Sequence, residues 1–182
     1  MSATGATRAG LGWDSHRFKA GRALILGGVE FDGAQLGLDG HSDADVLTHA
    51  VMDALLGAAG LGDIGLHFPD SDGAYRDADS IELLREVVAT LAQQGLRAVH
   101  VDTTILMERP KIGPYREAIR ARLAQALGLD VASVNVKAST GEGMGFVGRL
   151  EGVAALAVAT VGQGAGEPRA GGAGDHTHYA GR

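Results

Sequence analysis

Glycine constrains this chain more than any other residue type. It fills 29 of 182 positions, about 16% against the roughly 7% of ordinary proteins. Twenty-two glycines lie at or before Val161; the other seven fall in residues 162–182, which read GQGAGEPRAGGAGDHTHYAGR. That tail has too little apolar surface to fold and is expected to be disordered. The glycines of the body often sit beside Asp, His or Ser, a pattern suited to backbone that approaches a ligand closely. Hydrophobic residues make up 45% of the chain, enough for a core. One domain is expected over 8–161, behind a flexible leader at 1–7.

Cysteine is absent, so disulfides, thiolate zinc sites and cysteine nucleophiles are excluded and any transition metal must use His and carboxylate ligands. A net charge of −6 with 4% aromatics makes a poor nucleic-acid binder, lacking both phosphate-neutralising surface and stacking platforms. Apolar runs stop well short of the roughly 20 residues of a membrane span, and residues 1–10 show no charged start followed by an apolar core. A cytoplasmic protein without membrane contact is expected.

Periodicity gives an order of elements. An extended segment over 8–14 precedes two short strands within 23–31, hinged at Gly27 and Gly28. Ser42 with Asp45 three residues on is a capping-box variant. It predicts a helix carrying Val46, Leu47, Ala50, Ala54 and Leu55 and ending at Gly57 or Gly60. Residues 61–79 show no sustained period and are expected as a long loop. A helix capped by Asp79 or Ser80 runs to Gln94, its apolar stripe formed by Ile81, Leu84, Val88 and Leu91. A strand follows over 96–107, then a helix opened by Pro114 and stopped by Gly128. Strands at 134–138 and 152–161 flank a glycine-rich turn over 141–148. The expected fold class is α+β, a small mixed β-sheet with helices packed on one face.

Asp14 and His16 are two apart on an extended segment, so a carboxylate and an imidazole face the same way. His49 lies one helical turn from both Asp45 and Asp53, either of which can hold one ring nitrogen while the other binds a metal. Two His and one Asp leave a fourth tetrahedral position open, as in catalytic zinc sites. The plainer alternative is a chance Asp-x-His triplet and an ordinary half-buried helical histidine. His176 and His178, in the tail, are expected to be inert.

Further on, Asp63, Ile64 and Gly65, then Phe68, Asp70 and Asp72, suit polyol hydroxyls or a hard cation, or form a solvated acidic loop. Residues 137–146, KASTGEGMGF, follow a strand and offer hydroxyls at Ser139 and Thr140, amides in a glycine-rich turn, and the Glu142 carboxylate. Such groups cradle phosphates and hold a divalent ion against them, although the segment is not a Walker sequence. Met107, Pro110 and Lys111 close the preceding strand in what is either a nucleotide-edge loop or a solvent-facing turn.

Together these stretches resemble the 2-C-methyl-D-erythritol 2,4-cyclodiphosphate synthase family of the non-mevalonate isoprenoid pathway. The carriers are GWDSH at 12–16, LGGV at 26–29, HSDADVLTHAVMDALLGAAGLGDIG at 41–65, FPDSD at 68–72 and VNVKAST followed by E and GFVGRLEG within 134–152. The resemblance implies a metal-dependent phosphorus–oxygen lyase: a substrate phosphate attacks the β-phosphorus of a cytidine-diphosphate substrate and CMP leaves. It implies zinc on Asp14, His16 and His49 and a second divalent cation, Mg2+ or Mn2+, on Glu142. His41 and Thr140 become transition-state stabilisers, and His41 and Ser42 contact phosphates. Asp63, Ile64, Gly65, Phe68, Asp70 and Asp72 hold or flank the methylerythritol unit. Met107, Pro110 and Lys111 belong to the cytidine pocket, beside Ser139. It also implies a homotrimer with active sites between subunits, and Phe146, Arg149 and Glu151 ringing a threefold axis where an isoprenoid diphosphate binds.

Two departures stand out: the phosphate loop has Gly141 and Gly143 where relatives carry more Thr and a Lys, and the tail has no family counterpart. Nothing resembles the cytidylyltransferase domain sometimes fused to this one, so a monofunctional chain is expected. The rival expectations are a zinc hydrolase and a non-catalytic sensor of isoprenoid diphosphates.

Overall fold

The computed structural model describes residues 6–164; most of the leader, most of the tail and the His176–His178 pair lie outside the described residues. Strand β1 (Arg8–Ala20) is longer than expected. The hairpin at 23–31 forms as β2 (Ile25–Leu26) and β3 (Val29–Glu30), joined by Gly27 and Gly28 at φ 60° and 69°. Positive φ at both central residues is what a tight hairpin requires and what glycine tolerates. A short β4 (Leu36–Leu38), unmarked by any sequence signal, leads to α1 (Val46–Ala59).

The cap of α1 corrects the sequence expectation. Asp45, not Ser42, is the N-cap, accepting from the Leu47 and Thr48 N–H groups. Its carboxylate also accepts from the Gly27 and Gly28 N–H groups at 2.9 and 2.7 Å. The cap is therefore tertiary as well as local, which a four-residue pattern does not convey. Burial pushes the Asp45 carboxyl above its ordinary range.

The expected loop over 61–79 contains α2 (Ile64–His67), capped by Asp63, and a single helical turn at Gly73–Tyr75 capped by Asp72. Both are too short to show a period. Then come α3 (Ser80–Gln93) with Asp79 as N-cap, β5 (Leu96–Leu106), α4 (Arg116–Leu127) ending at Gly128, and β6 (Val134–Ser139). The glycine-rich turn holds α5 (Gly145–Gly148), and β7 (Gly152–Gln163) runs two residues past the expected domain end.

The main sheet has the order β4-β1-β7-β5-β6, antiparallel except for the parallel β5–β6 pair. The architecture is thus mixed α+β, as expected. Helix α1 is buried at eleven of its fourteen positions, packed between the sheet and α3. Glycine makes this approach possible. A Cβ at Gly12 would lie 1.9 Å from the Ala50 carbonyl oxygen, and one at Gly10 would lie 2.2 Å from that of Ala54, so α1 rests directly on the β1 backbone. Among the described residues, no helix covers the opposite face of the sheet: Leu11 faces Val158 and Trp13 faces Leu156 across β1–β7, with Leu11 66%, Trp13 49% and Val158 44% exposed.

Candidate metal centre and nucleotide cavity

Asp14 and His16 occupy alternate positions of β1, and the close seating of α1 brings His49 over them. Asp14 Oδ2 lies 2.9 Å from His16 Nε2 and 2.9 Å from His49 Nδ1, and the two nitrogens are 3.2 Å apart. Bonds of about 2.0–2.1 Å to a tetrahedral zinc would set ligand atoms about 3.3 Å apart, so this triangle is nearly the right size for one cation. The donor set of two imidazoles and one carboxylate also suits it. Among the described residues, these three form the one cluster of candidate metal ligands.

The remaining ring nitrogens are both held by the protein, that of His49 by partners different from those expected. His16 Nδ1–H donates to the Asp39 carbonyl at 2.7 Å, leaving Nε2 for the triangle. His49 Nε2 contacts Ser42 Oγ at 3.1 Å and Ser80 Oγ at 3.0 Å. Neither Asp45 nor Asp53 reaches it: Asp45 is occupied as the cap, and Asp53 accepts from the Ile64 N–H at 2.8 Å. Burial opposes ionisation of Asp14, but hydrogen bonds and charge from His16 and His49 outweigh it and hold the carboxyl well below its usual range. Burial likewise disfavours a charged His16, and Asp14 outweighs it, raising the imidazole above its usual value.

The triangle opens into a cleft of about 250 Å3 lined also by His41, Ser42, Ile64, Gly65, Phe68, Asp70 and Tyr75. Of the other residues expected there, Asp63 caps α2 and Asp72 caps the Gly73–Tyr75 turn. The Asp72 carbonyl accepts from His41 Nε2 at 3.2 Å. Tyr75 carried no signal in the sequence beyond being aromatic.

A second cavity, about 390 Å3, is lined by Met107, Lys111, Ile112, Arg116, Ser139, Thr140 and Glu142. The parallel pairing of β5 with β6 sets Leu106 beside Ser139, so the two loops leave the sheet together. Here the Thr140 hydroxyl donates to Glu142 at 2.5 Å. The loop amides are less free than expected: Gly141 and Gly143 N–H donate to Glu108 Oε1 at 2.9 and 3.4 Å. An acceptor that close satisfies them. Pro110 lines a different hollow, with Phe18, Leu36, Arg109 and Leu150. Phe146 and Glu151 line a cavity of about 260 Å3 beside His16, and Arg149 pairs with Glu151 at 2.6 Å.

A family model described as the YgbB family matches residues 7–162. The chain belongs to the YgbB family. One curated YgbB relative, the 2-C-methyl-D-erythritol 2,4-cyclodiphosphate synthase of Symbiobacterium thermophilum, is 58% identical over 84% of this chain and 96% of its own length. Another, the bifunctional enzyme IspD/IspF of Anaeromyxobacter dehalogenans, is 59% identical over 86% of this chain. The chain spans only 40% of that longer relative. Among solved structures, a 2C-methyl-D-erythritol-2,4-cyclodiphosphate synthase in a CDP-bound form matches with a TM-score of 0.77 at 37% identity, covering 85% of this chain and 99% of its own. No helix among the described residues is long and apolar enough to cross a membrane.

Proposed function

We propose that the chain is a 2-C-methyl-D-erythritol 2,4-cyclodiphosphate synthase. The 2-phosphate of 4-diphosphocytidyl-2-C-methyl-D-erythritol 2-phosphate forms a bond to the β-phosphorus. The bond from that phosphorus to the bridging oxygen breaks, and CMP leaves with the electron pair. The observation that carries this assignment is the triangle of Asp14, His16 and His49 at the mouth of a cleft with an open side. The identity to curated synthases supports it.

Zinc held by these three residues would supply a Lewis acid for a phosphate oxygen. Glu142 would hold the second divalent cation, Mg2+ or Mn2+, and its carboxylate would then release the Thr140 hydroxyl to donate to a phosphate oxygen. His41 and Ser42, on the rim of the metal cleft, donate to phosphate oxygens, and Ile64 and Gly65 bound the methylerythritol end. Lys111 and Met107 bound the cytidine end. Orienting one molecule so that its own phosphate lies in line with the leaving group can contribute roughly 7–11 kcal/mol. The attacking phosphate is already ionised, so no general base is needed and rate should depend weakly on pH above about 6.

The cleft and the cavity are separate on one chain, whereas the substrate needs both a metal-bound phosphate and a seated cytidine. Together with the exposed apolar sheet face, this supports a homotrimer in which neighbouring subunits complete each active site. Phe146, Arg149 and Glu151 then surround the threefold axis, where Arg149 suits an isoprenoid diphosphate. The test is phosphorus NMR of the purified protein with substrate, zinc and magnesium. Cyclic diphosphate plus CMP is expected; linear methylerythritol phosphates plus CMP would indicate a zinc hydrolase and overturn the assignment.

A further inference from the structure

A metal can use His49 Nδ1 only when the neutral ring carries its hydrogen on Nε2. The hydroxyls at Nε2, Ser80 at 3.0 Å and Ser42 at 3.1 Å, can each donate or accept, so neither chooses the tautomer by itself. Asp14 Oδ2, 2.9 Å from Nδ1, draws a hydrogen onto Nδ1 in the metal-free protein, where a bound cation would replace it; the hydrogen on Nε2 is set one bond further out. Ser80 Oγ lies 2.5 Å from Asp43 Oδ1, and an ionised carboxylate only accepts. Ser80 therefore gives its single hydrogen to Asp43 and turns a lone pair to His49 Nε2–H. Asp43 is itself fixed: Oδ2 accepts from the Ser80 backbone N–H at 3.0 Å and Oδ1 from the Asp45 N–H at 3.1 Å. Its own N–H donates to the Ala78 carbonyl at 3.1 Å. Ser80 is fully buried and His49 nearly so, which strengthens the chain of bonds.

We propose that Ser80 and Asp43 are positioning residues that keep a hydrogen on His49 Nε2, so that Nδ1 is the nitrogen given to a bound metal, and so set the metal affinity of the centre. This rests on Asp14, His16 and His49 being metal ligands. Ser42 accepts from the Ala44 N–H at 3.2 Å but has no carboxylate to fix its hydrogen, so the selection falls to Ser80. Three stretches of chain are joined in this way: the segment before α1, α1 itself and the first residue of α3.

The test measures zinc affinity by chelator competition on the full chain for wild type, Ser80→Ala, Asp43→Asn and Ser42→Ala. The melting temperature of each metal-free protein is recorded alongside. Ser80→Ala removes the acceptor. Asp43→Asn, equal in size, can donate its amide to Ser80 Oγ, turn the Ser80 hydrogen toward His49 and favour the Nδ1–H tautomer that excludes a metal. Both should weaken zinc binding about ten- to hundred-fold, Ser42→Ala should weaken it far less, and Ser80→Thr, which keeps the hydroxyl, should restore it. Affinity within about twofold of wild type in either variant overturns the proposal whatever the melting temperature does, because outer partners of a ligand ordinarily cost more than that. If Ser80→Ala does not fold, Asp43→Asn decides. Wild-type protein that binds no zinc would instead overturn the metal-centre assignment, so the two failures are distinguishable.

Discussion

Asp14 shows burial and neighbouring charge acting in opposite directions on one carboxyl, with charge prevailing. Its folded pKa is depressed, so its stabilising share is present above the ordinary 3.8 and is lost as pH falls further. His16 is shifted the other way, so its share is complete below the ordinary 6.5 and is lost as pH rises through the elevated value. In the metal-free protein the pair therefore stabilises most between these limits. The difference in melting temperature between wild type and His16→Ala should peak there and shrink at higher pH. Zinc must displace the His16 proton, so its affinity should fall by about tenfold per unit below the raised His16 value, read by chelator competition. Asp14→Ala or His49→Ala should abolish both turnover and bound zinc; wild-type activity in a metal-free variant would contradict the assignment. Alternation along a strand and one turn of helix made these three candidate ligands legible in the sequence. The partners of His49 were not, because Ser80 lies 31 residues away and nearby Asp45 and Asp53 offered a more obvious choice.

Helix α1 has two kinds of glycine contact, and they make opposite predictions. Gly12→Ala on β1 puts a methyl into the Ala50 carbonyl. That should cost about 1–3 kcal/mol or more and lift His49 from Asp14, lowering zinc affinity as well. Gly57→Ala, inside α1 with nothing within 4 Å of the added carbon, should stabilise by about 0.5–1 kcal/mol. Denaturant unfolding separates the two. At this scale the sequence was largely readable: periodicity located α1, α3 and α4, and Asp79 and Gly128 marked a start and a stop. The elements it missed were α2, α5 and β4, each four residues or fewer, too short for a repeat to declare itself. Asp45 was misassigned because two of the five hydrogen bonds its carboxylate accepts come from a hairpin distant in sequence.

For the whole molecule, the helices cover one face of the sheet and leave Leu11, Trp13 and Val158 on the other. In the proposed trimer, Trp13→Glu should yield a smaller particle in sedimentation that still binds zinc but has lost turnover, since its metal triangle is intact and its neighbour's cavity is gone. An unchanged trimer with full activity would show that this face is not the interface. Single-chain periodicity placed the sheet and its helical side but gave no direct sign of assembly, which depends on surfaces contributed by other copies.

The candidate metal triangle stands where α1 meets β1, while the cavity proposed to seat the nucleotide opens where β5 and β6 end, and β7 lies between them. Within one chain, substitutions in one region touch no lining residue of the other, so their effects on the stability of the fold should add. In the proposed synthase, the residues around the base are therefore open to redesign without loosening the fold around the cation, and the two regions can diverge independently from one descendant to the next.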